Sequence, residues 1–113
     1  MIYNNRWNNI RTVSRFENAY NGFVTSIQHD PGVLIVMISQ SIIILYDPYL
    51  FPFCLIAISI ELINTSIELI CDKICNNQYN VIIRDIKDIS ALATFLTQLI
   101  PFILTFLNIF VFT

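Results

Sequence analysis

Residues 49–75 read YLFPFCLIAISIELINTSIELICDKIC, and this stretch determines which kind of fold the chain adopts. Its first half is almost entirely apolar, as expected of a helix that enters a membrane. In its second half, polar side chains fall within an arc of about 80° on one helix face. They are Glu61, Asn64, Glu68 and Asp72. A charge deep in a bilayer costs about 2.5–3.5 kcal/mol, so such residues persist where they face a bundle interior, a metal or a substrate. The stretch is therefore the candidate functional site.

The composition of the chain indicates an integral membrane protein with a single domain over residues 1–113. Hydrophobic residues make up 56 % of the sequence and charged residues only 12 %, which is about half the charged fraction of soluble domains. A soluble domain of this size has too little interior to bury so much apolar surface. The net charge is −2 and no basic stripe occurs, so no nucleic-acid partner is expected.

The hydrophobic pattern predicts an all-α membrane protein, with a surface helix followed by three membrane-spanning helices. Over about residues 11–28, the apolar side chains form a stripe opposite Arg11 and Arg15, which is typical of an amphipathic helix lying in the membrane interface. The spans are predicted at about residues 31–46, 49–75 and 89–112. The first is short for a bilayer, so we expect tilting or local thinning. Pro101 should kink the last span mildly.

The distribution of basic residues predicts the orientation in the membrane. They lie before the first span and between the second and third, at Arg6, Arg11, Arg15, Lys73, Arg84 and Lys87. The turn at Asp47 has none. The positive-inside rule therefore places the N-terminus in the cytoplasm. The acidic residues, whose burial in a bilayer costs free energy, then lie at or near the cytoplasmic surface, where nucleotides are available.

The chemistry of these side chains fits phosphoryl transfer. Carboxylate and amide oxygens suit Mg²⁺, basic side chains suit phosphate, and a further carboxylate can deprotonate an alcohol. The chain has no GxxxxGK[ST] motif and only two glycines, so a nucleotide site here would be unrelated to P-loop designs. The residues alone leave two alternatives open, a channel or transporter that uses intramembrane carboxylates, and a structural or assembly protein.

Three segments resemble the prokaryotic diacylglycerol kinase family. Residues 61–73, ELINTSIELICDK, closely resemble its E-x-x-N-[ST]-x-I-E-x-x-x-D-[KR] signature. Residues 86–91, IKDISA, resemble the A-K-D motif and small residues that open its third span, and residues 19–22, AYNG, resemble A-[FW]-x-G in its surface helix. The sequence departs from the family at Asp30, where the family has a glutamate, and at Ile86, where it has a small residue.

The resemblance implies a homotrimeric lipid kinase of the bacterial inner membrane that transfers the γ-phosphate of MgATP to diacylglycerol and forms phosphatidic acid. The family also includes undecaprenol kinases, so undecaprenol is the alternative acceptor. Glu61 is implied as the general base, with Glu68 and Asp30 as Mg²⁺ ligands. The implied substrate- and phosphate-binding residues are Asn64, Arg11, Lys87, Asp88 and Asp72. A non-catalytic membrane assembly protein remains the third hypothesis.

Overall fold

The computed structural model describes residues 12–76 and 78–111, and its regular structure is entirely helical. Helix α1 comprises Thr12–His29, α2 Gly32–Tyr46, α3 Phe51–Cys75 and α4 Val81–Phe110, and a 3₁₀ turn, Pro48–Leu50, precedes α3. Within these residues there is no β-strand, which confirms the all-α prediction.

Asp30 forms the corner between α1 and α2. Its backbone N–H donates to the carbonyl of Ser26 at 2.8 Å, and its Oδ1 accepts from the N–H of Gly32 at 3.0 Å. A Cβ on Gly32 would lie 2.9 Å from that oxygen, so glycine permits the close approach of the carboxylate. Pro31, directly after Asp30, takes the N-cap position of α2.

Asp47 organises the turn between α2 and α3. Its Oδ1 accepts from the backbone N–H of Tyr49 at 3.1 Å, while Pro48 takes the first position of the 3₁₀ turn, where its missing N–H is not needed. The other carboxylate oxygen of Asp47, Oδ2, accepts a hydrogen bond from Nδ2 of Asn108 at 2.7 Å. This bond ties the C-terminal end of α4 to the turn.

Two asparagines end α3 and begin α4. Asn76 adopts the left-handed conformation, with φ 48° and ψ 47°, which asparagine tolerates better than most residues. The side chain of Asn80 accepts from two backbone N–H groups of the next turn, at 2.9 and 3.1 Å, and so caps α4. Helix α4 therefore begins at Val81, before the expected start of the span near Ile89, and the charged segment 84–88 is helical.

The described chain provides two or three candidate membrane spans. Pro48–Cys75 and Val81–Phe110 are each long and apolar enough to cross a bilayer. Helix α2 has only 15 residues and qualifies only together with α1, from which it is bent by 113°. Helix α4 is helical on both sides of Pro101, where the sequence predicts a mild kink.

The bundle leaves much apolar surface uncovered. Its buried cluster consists of Ile43, Leu50 and Cys54, with Ile44 and Leu104 packed against it. Many other large apolar side chains are exposed on the single chain, and Leu45 is 83 % exposed. Lipid tails or further protein chains are needed to cover such a surface.

Gln40 in α2 is fully buried, and neither atom of its amide has a hydrogen-bond partner among the described residues. An unpaired buried amide costs about 1–3 kcal/mol. We expect Gln40→Met, which keeps the length but removes both polar atoms, to raise the midpoint of thermal unfolding in detergent. An unchanged or lower midpoint would contradict this expectation.

Candidate active site

The polar stripe of α3 leads from the interior of the bundle to its surface. Glu61 and Asn64 are each 7 % exposed, and the neighbouring Thr65 is 2 % exposed. Glu68 is half-buried and Asp72 is exposed. The acidic side chains therefore differ in their access to water along a single helix face.

Glu61, the innermost acidic residue of the stripe, is held by α4. Its Oε2 accepts a hydrogen bond from Nε2 of Gln98 at 2.8 Å. Its Oε1 accepts none from any residue that the structure describes. One carboxylate oxygen is thus fixed, and the other is available as a proton acceptor.

Asn64 is fixed from both sides. Its Oδ1 accepts from Oγ of Ser90 on α4 at 2.6 Å, and its Nδ2 donates to Oε1 of Glu68 at 3.2 Å. Because the carbonyl oxygen has a donor and the amide nitrogen an acceptor, the orientation of the amide is defined. The bonds link α4, through Asn64, to the carboxylate of Glu68.

Thr65 joins the α1–α2 corner to α3. Its Oγ1 donates to Oδ2 of Asp30 at 3.2 Å and lies 3.2 Å from the carbonyl oxygen of Glu61. The sequence singled out Asp30 but not Thr65, which holds Asp30 beside the stripe. In the described part of the chain, no group of three or more His, Cys, Asp or Glu residues is arranged to hold a metal ion.

Lys87 reaches the outer end of the stripe, where it forms an ion pair with Asp72. The side chains are 36 % and 58 % exposed, respectively, so this pair contributes little stability. Asp88 lies about 100° around α4 from Lys87 and is exposed. The structure thus brings Lys87 against α3 but not Asp88, and Arg11 lies outside the described residues.

Polar side chains on α4 repeat the i, i+3, i+7, i+11 spacing of the α3 stripe. They are Lys87, Ser90, Thr94 and Gln98. Gln98, in the middle of α4, contacts Glu61, and Lys87, nearer the N-terminal end, contacts Asp72. From the sequence alone, Ser90 is one of the small residues that open the third span, and Gln98 is not identified as a site residue. The matching spacing on an otherwise apolar helix is the signal that would have identified both.

Two grooves flank the stripe. One of about 520 Å³ opens between α1 and α3 and is lined in part by Thr65. The other, of about 320 Å³, lies between α3 and α4, with Asn64 and Ser90 as its polar lining residues. Its remaining lining is apolar and consists of Ile60, Ile63, Ile67, Ile86, Ile89 and Ala93. The Asn64–Ser90 bond is therefore a polar spot in an apolar groove.

Comparison with known proteins supports the resemblance seen in the sequence. The sequence model of the prokaryotic diacylglycerol kinase family matches residues 17–110. The curated proteins and the solved structures gave no match to the chain. The matched segment contains the α3 stripe, the Asp30 corner and Lys87. The family comprises membrane-bound lipid kinases, and the resemblance of residues 61–73 to it is confirmed. Because the match covers most of the chain, the protein belongs to the prokaryotic diacylglycerol kinase family.

Proposed function

We propose that the protein transfers the γ-phosphate of MgATP to the hydroxyl of diacylglycerol and forms phosphatidic acid. The observation that supports this proposal is the placement of Glu61, Glu68 and Asp30 along one face of α3. Glu61 and Glu68 belong to the stripe, and Thr65 binds the carboxylate of Asp30 at 3.2 Å. Family membership supports a lipid kinase. The convergence of acidic groups, with Lys87 at the outer end of the stripe, supports one that uses ATP and a divalent cation.

Glu61 acts as the general base in this proposal. Its Oε1 takes the proton of the lipid hydroxyl as the hydroxyl oxygen attacks the γ-phosphorus. The bond from the γ-phosphorus to the bridging oxygen breaks, and ADP leaves with the electron pair. Asn64, whose amide is fixed by Ser90 and Glu68, helps to hold the transferred phosphoryl group.

Glu68 and Asp30 fit a Mg²⁺ ion that is shared with the nucleotide. Mg²⁺ typically takes one or two carboxylates and completes its shell with water and substrate phosphates. When bound, the ion neutralises charge on the phosphoryl oxygens. Asp30 is a methylene shorter than the family's glutamate, and its bond to Thr65 keeps it near α3.

In this proposal, Lys87 breaks its ion pair with Asp72 and binds the nucleotide phosphates instead. Because their ion pair is partly exposed, little stability is lost when Lys87 turns to a phosphate. Asp72 and the exposed Asp88 then lie on the nucleotide side, and Arg11 completes the proposed set from the N-terminal segment. Lysine interacts with phosphate as a point charge, which suits a mobile nucleotide tail.

The groove between α3 and α4 supports a lipid acceptor. Its isoleucine walls suit an acyl chain, and its polar spot at Asn64 and Ser90 suits a hydroxyl-bearing headgroup. Undecaprenol, with an apolar prenyl chain and one terminal hydroxyl, meets the same description. It is therefore the second candidate acceptor for the same site.

We further propose a homotrimer in the bacterial inner membrane with a cytoplasmic N-terminus. Phe16 and Tyr20 on α1 are 72 % and 67 % exposed, which supports α1 lying in the interface with its aromatic side chains in lipid. A trimer would cover part of the apolar surface that the single chain leaves exposed. The basic residues that flank the proposed spans support the orientation.

The hydroxyl of Thr65 is expected to sustain the affinity for Mg²⁺. Thr65→Val removes the donor to Asp30 with almost no change of shape, whereas Thr65→Ser keeps it. Loss of such a supporting hydrogen bond typically lowers metal affinity 10–100-fold. We expect Thr65→Val to raise the Mg²⁺ concentration for half-maximal turnover by about tenfold or more, and Thr65→Ser to restore most of the loss. Equal Mg²⁺ dependence in both variants would contradict the proposed role of Asp30.

A competition assay tests the proposed acceptor. Purified protein in detergent is given ATP labelled at the γ-phosphate, with diacylglycerol and undecaprenol together, and the labelled lipids are separated. We expect labelled phosphatidic acid, at a level far above that of a Glu61→Gln control. Labelled undecaprenyl phosphate as the main product would assign the second acceptor instead. Label in neither lipid would refute the proposed kinase function.

A further inference from the structure

We infer that Gln98 is a positioning residue for Glu61, an inference that rests on the proposed function, in which Glu61 is the general base. The observation that carries it is the bond of 2.8 Å from Nε2 of Gln98 on α4 to Oε2 of Glu61 on α3. Glu61 is only 7 % exposed and Gln98 is half-buried. In such a site, little water competes with the hydrogen bond.

The bond fixes the direction in which the free oxygen of the Glu61 carboxylate points. Gln98 occupies Oε2, and no described residue donates to Oε1. A glutamate carboxylate without a fixed partner turns its plane by rotation about its terminal bond. With Gln98 in place, one oxygen is held and the other keeps a fixed direction, so the base is preorganised for the lipid hydroxyl.

A neutral donor suits this position better than a charged one. Among the described side chains, Gln98 on α4 is the one that donates to the carboxylate of Glu61. A lysine or arginine there would neutralise the carboxylate and weaken it as a base. The amide of Gln98 carries no charge at any working pH. The amide orients the Glu61 carboxylate and leaves its negative charge available to accept the proton of the lipid hydroxyl.

The inference is tested by Gln98→Met, which keeps the length of the side chain and removes its donor. We expect kcat to fall about tenfold, a part of the 10²–10⁴-fold that a general base contributes, with unchanged KM for ATP and lipid. The matched control is Asn108→Leu, which removes the other bond from an α4 amide to a carboxylate, that of Asp47 at 2.7 Å. A merely structural role of Gln98 predicts that both variants lose stability alike and keep their kcat.

Infrared spectroscopy gives a readout that does not depend on turnover. The carboxyl stretching bands of Glu61 are isolated as the difference between the unsubstituted protein and Glu61→Gln. We expect these bands to shift in Gln98→Met and to stay in place in Asn108→Leu. An active protein whose kcat and bands are unchanged by Gln98→Met would overturn the inference and leave the proposed function intact. An unsubstituted protein that phosphorylates no lipid would overturn the proposed function itself.

Discussion

Replacing Glu61 with glutamine is expected to lower kcat for lipid phosphorylation by about 10²–10⁴-fold, the range that a positioned general base contributes. An amide cannot accept the proton of the lipid hydroxyl, whereas a carboxylate can. The measurement is the initial rate of phosphatidic acid formation at saturating ATP and Mg²⁺. KM for ATP should stay nearly unchanged, because Glu61 lies at the inner end of the stripe, far from the proposed nucleotide contact at Lys87.

The fold of Glu61→Gln should be retained. A glutamine carbonyl at this position still accepts the hydrogen bond from Gln98 that Glu61 accepts. The matched control is Glu17→Gln on the exposed surface of α1, which should leave both kcat and the unfolding midpoint unchanged. A kcat of Glu61→Gln close to that of the control would exclude Glu61 as the base.

Replacing Glu68 with alanine is expected to remove Mg²⁺-dependent turnover while assembly is retained. The Mg²⁺ concentration for half-maximal activity should rise by more than about 100-fold, because the loss of a supporting residue alone is worth 10–100-fold. The described hydrogen bond of Glu68 comes from Asn64 on the same helix. Its loss therefore breaks no hydrogen bond between described helices.

The assembly hypothesis predicts the opposite result for the same variant. If the polar stripe serves only to join chains, Glu68→Ala should dissociate the oligomer. Sedimentation in detergent, beside the exposed control Glu17→Ala, separates the two accounts. A dissociated Glu68→Ala with a normal Mg²⁺ response would favour assembly over catalysis.

The sequence predicted the α3 stripe because the relevant periodicity lies within one helix. Glu61, Asn64 and Glu68 share a face through the geometry of the helix alone, and the structure buries two of them and half-buries the third. The end of α3 at its polar loop was predictable for the same local reason. Left-handed Asn76 stops the helix there.

The partners of the stripe were harder to predict because they depend on the register between two helices. The hydropathy pattern does not predict which residue of α4 contacts Glu61. Gln98 is therefore not distinguished from the other polar residues of the predicted span. Charges at 84–88 lowered the apparent hydrophobicity and moved the predicted start of the span to residue 89. The capping side chain of Asn80 was the local signal that helix α4 begins at Val81.

Thr65 shows a third kind of contact that the pattern did not reveal. The sequence pattern does not single out Thr65, yet its hydroxyl donates a hydrogen bond to the carboxylate of Asp30 at the α1–α2 corner. Such a contact depends on the 113° bend between α1 and α2, which no periodicity encodes. The resemblance to the family implies that Asp30 is a site residue, and the structure shows that Thr65 holds it beside α3.

The most direct test of the central claim follows single phosphates from ATP into lipid. Purified protein, Mg²⁺ and diacylglycerol are incubated with ATP labelled at either the γ- or the α-phosphate, and the lipid fraction is extracted and counted. We expect label from the γ-position to enter phosphatidic acid only when Mg²⁺ is present, and label from the α-position never to enter lipid. Unlabelled lipid with γ-labelled ATP, or label arriving from the α-position, would contradict this expectation.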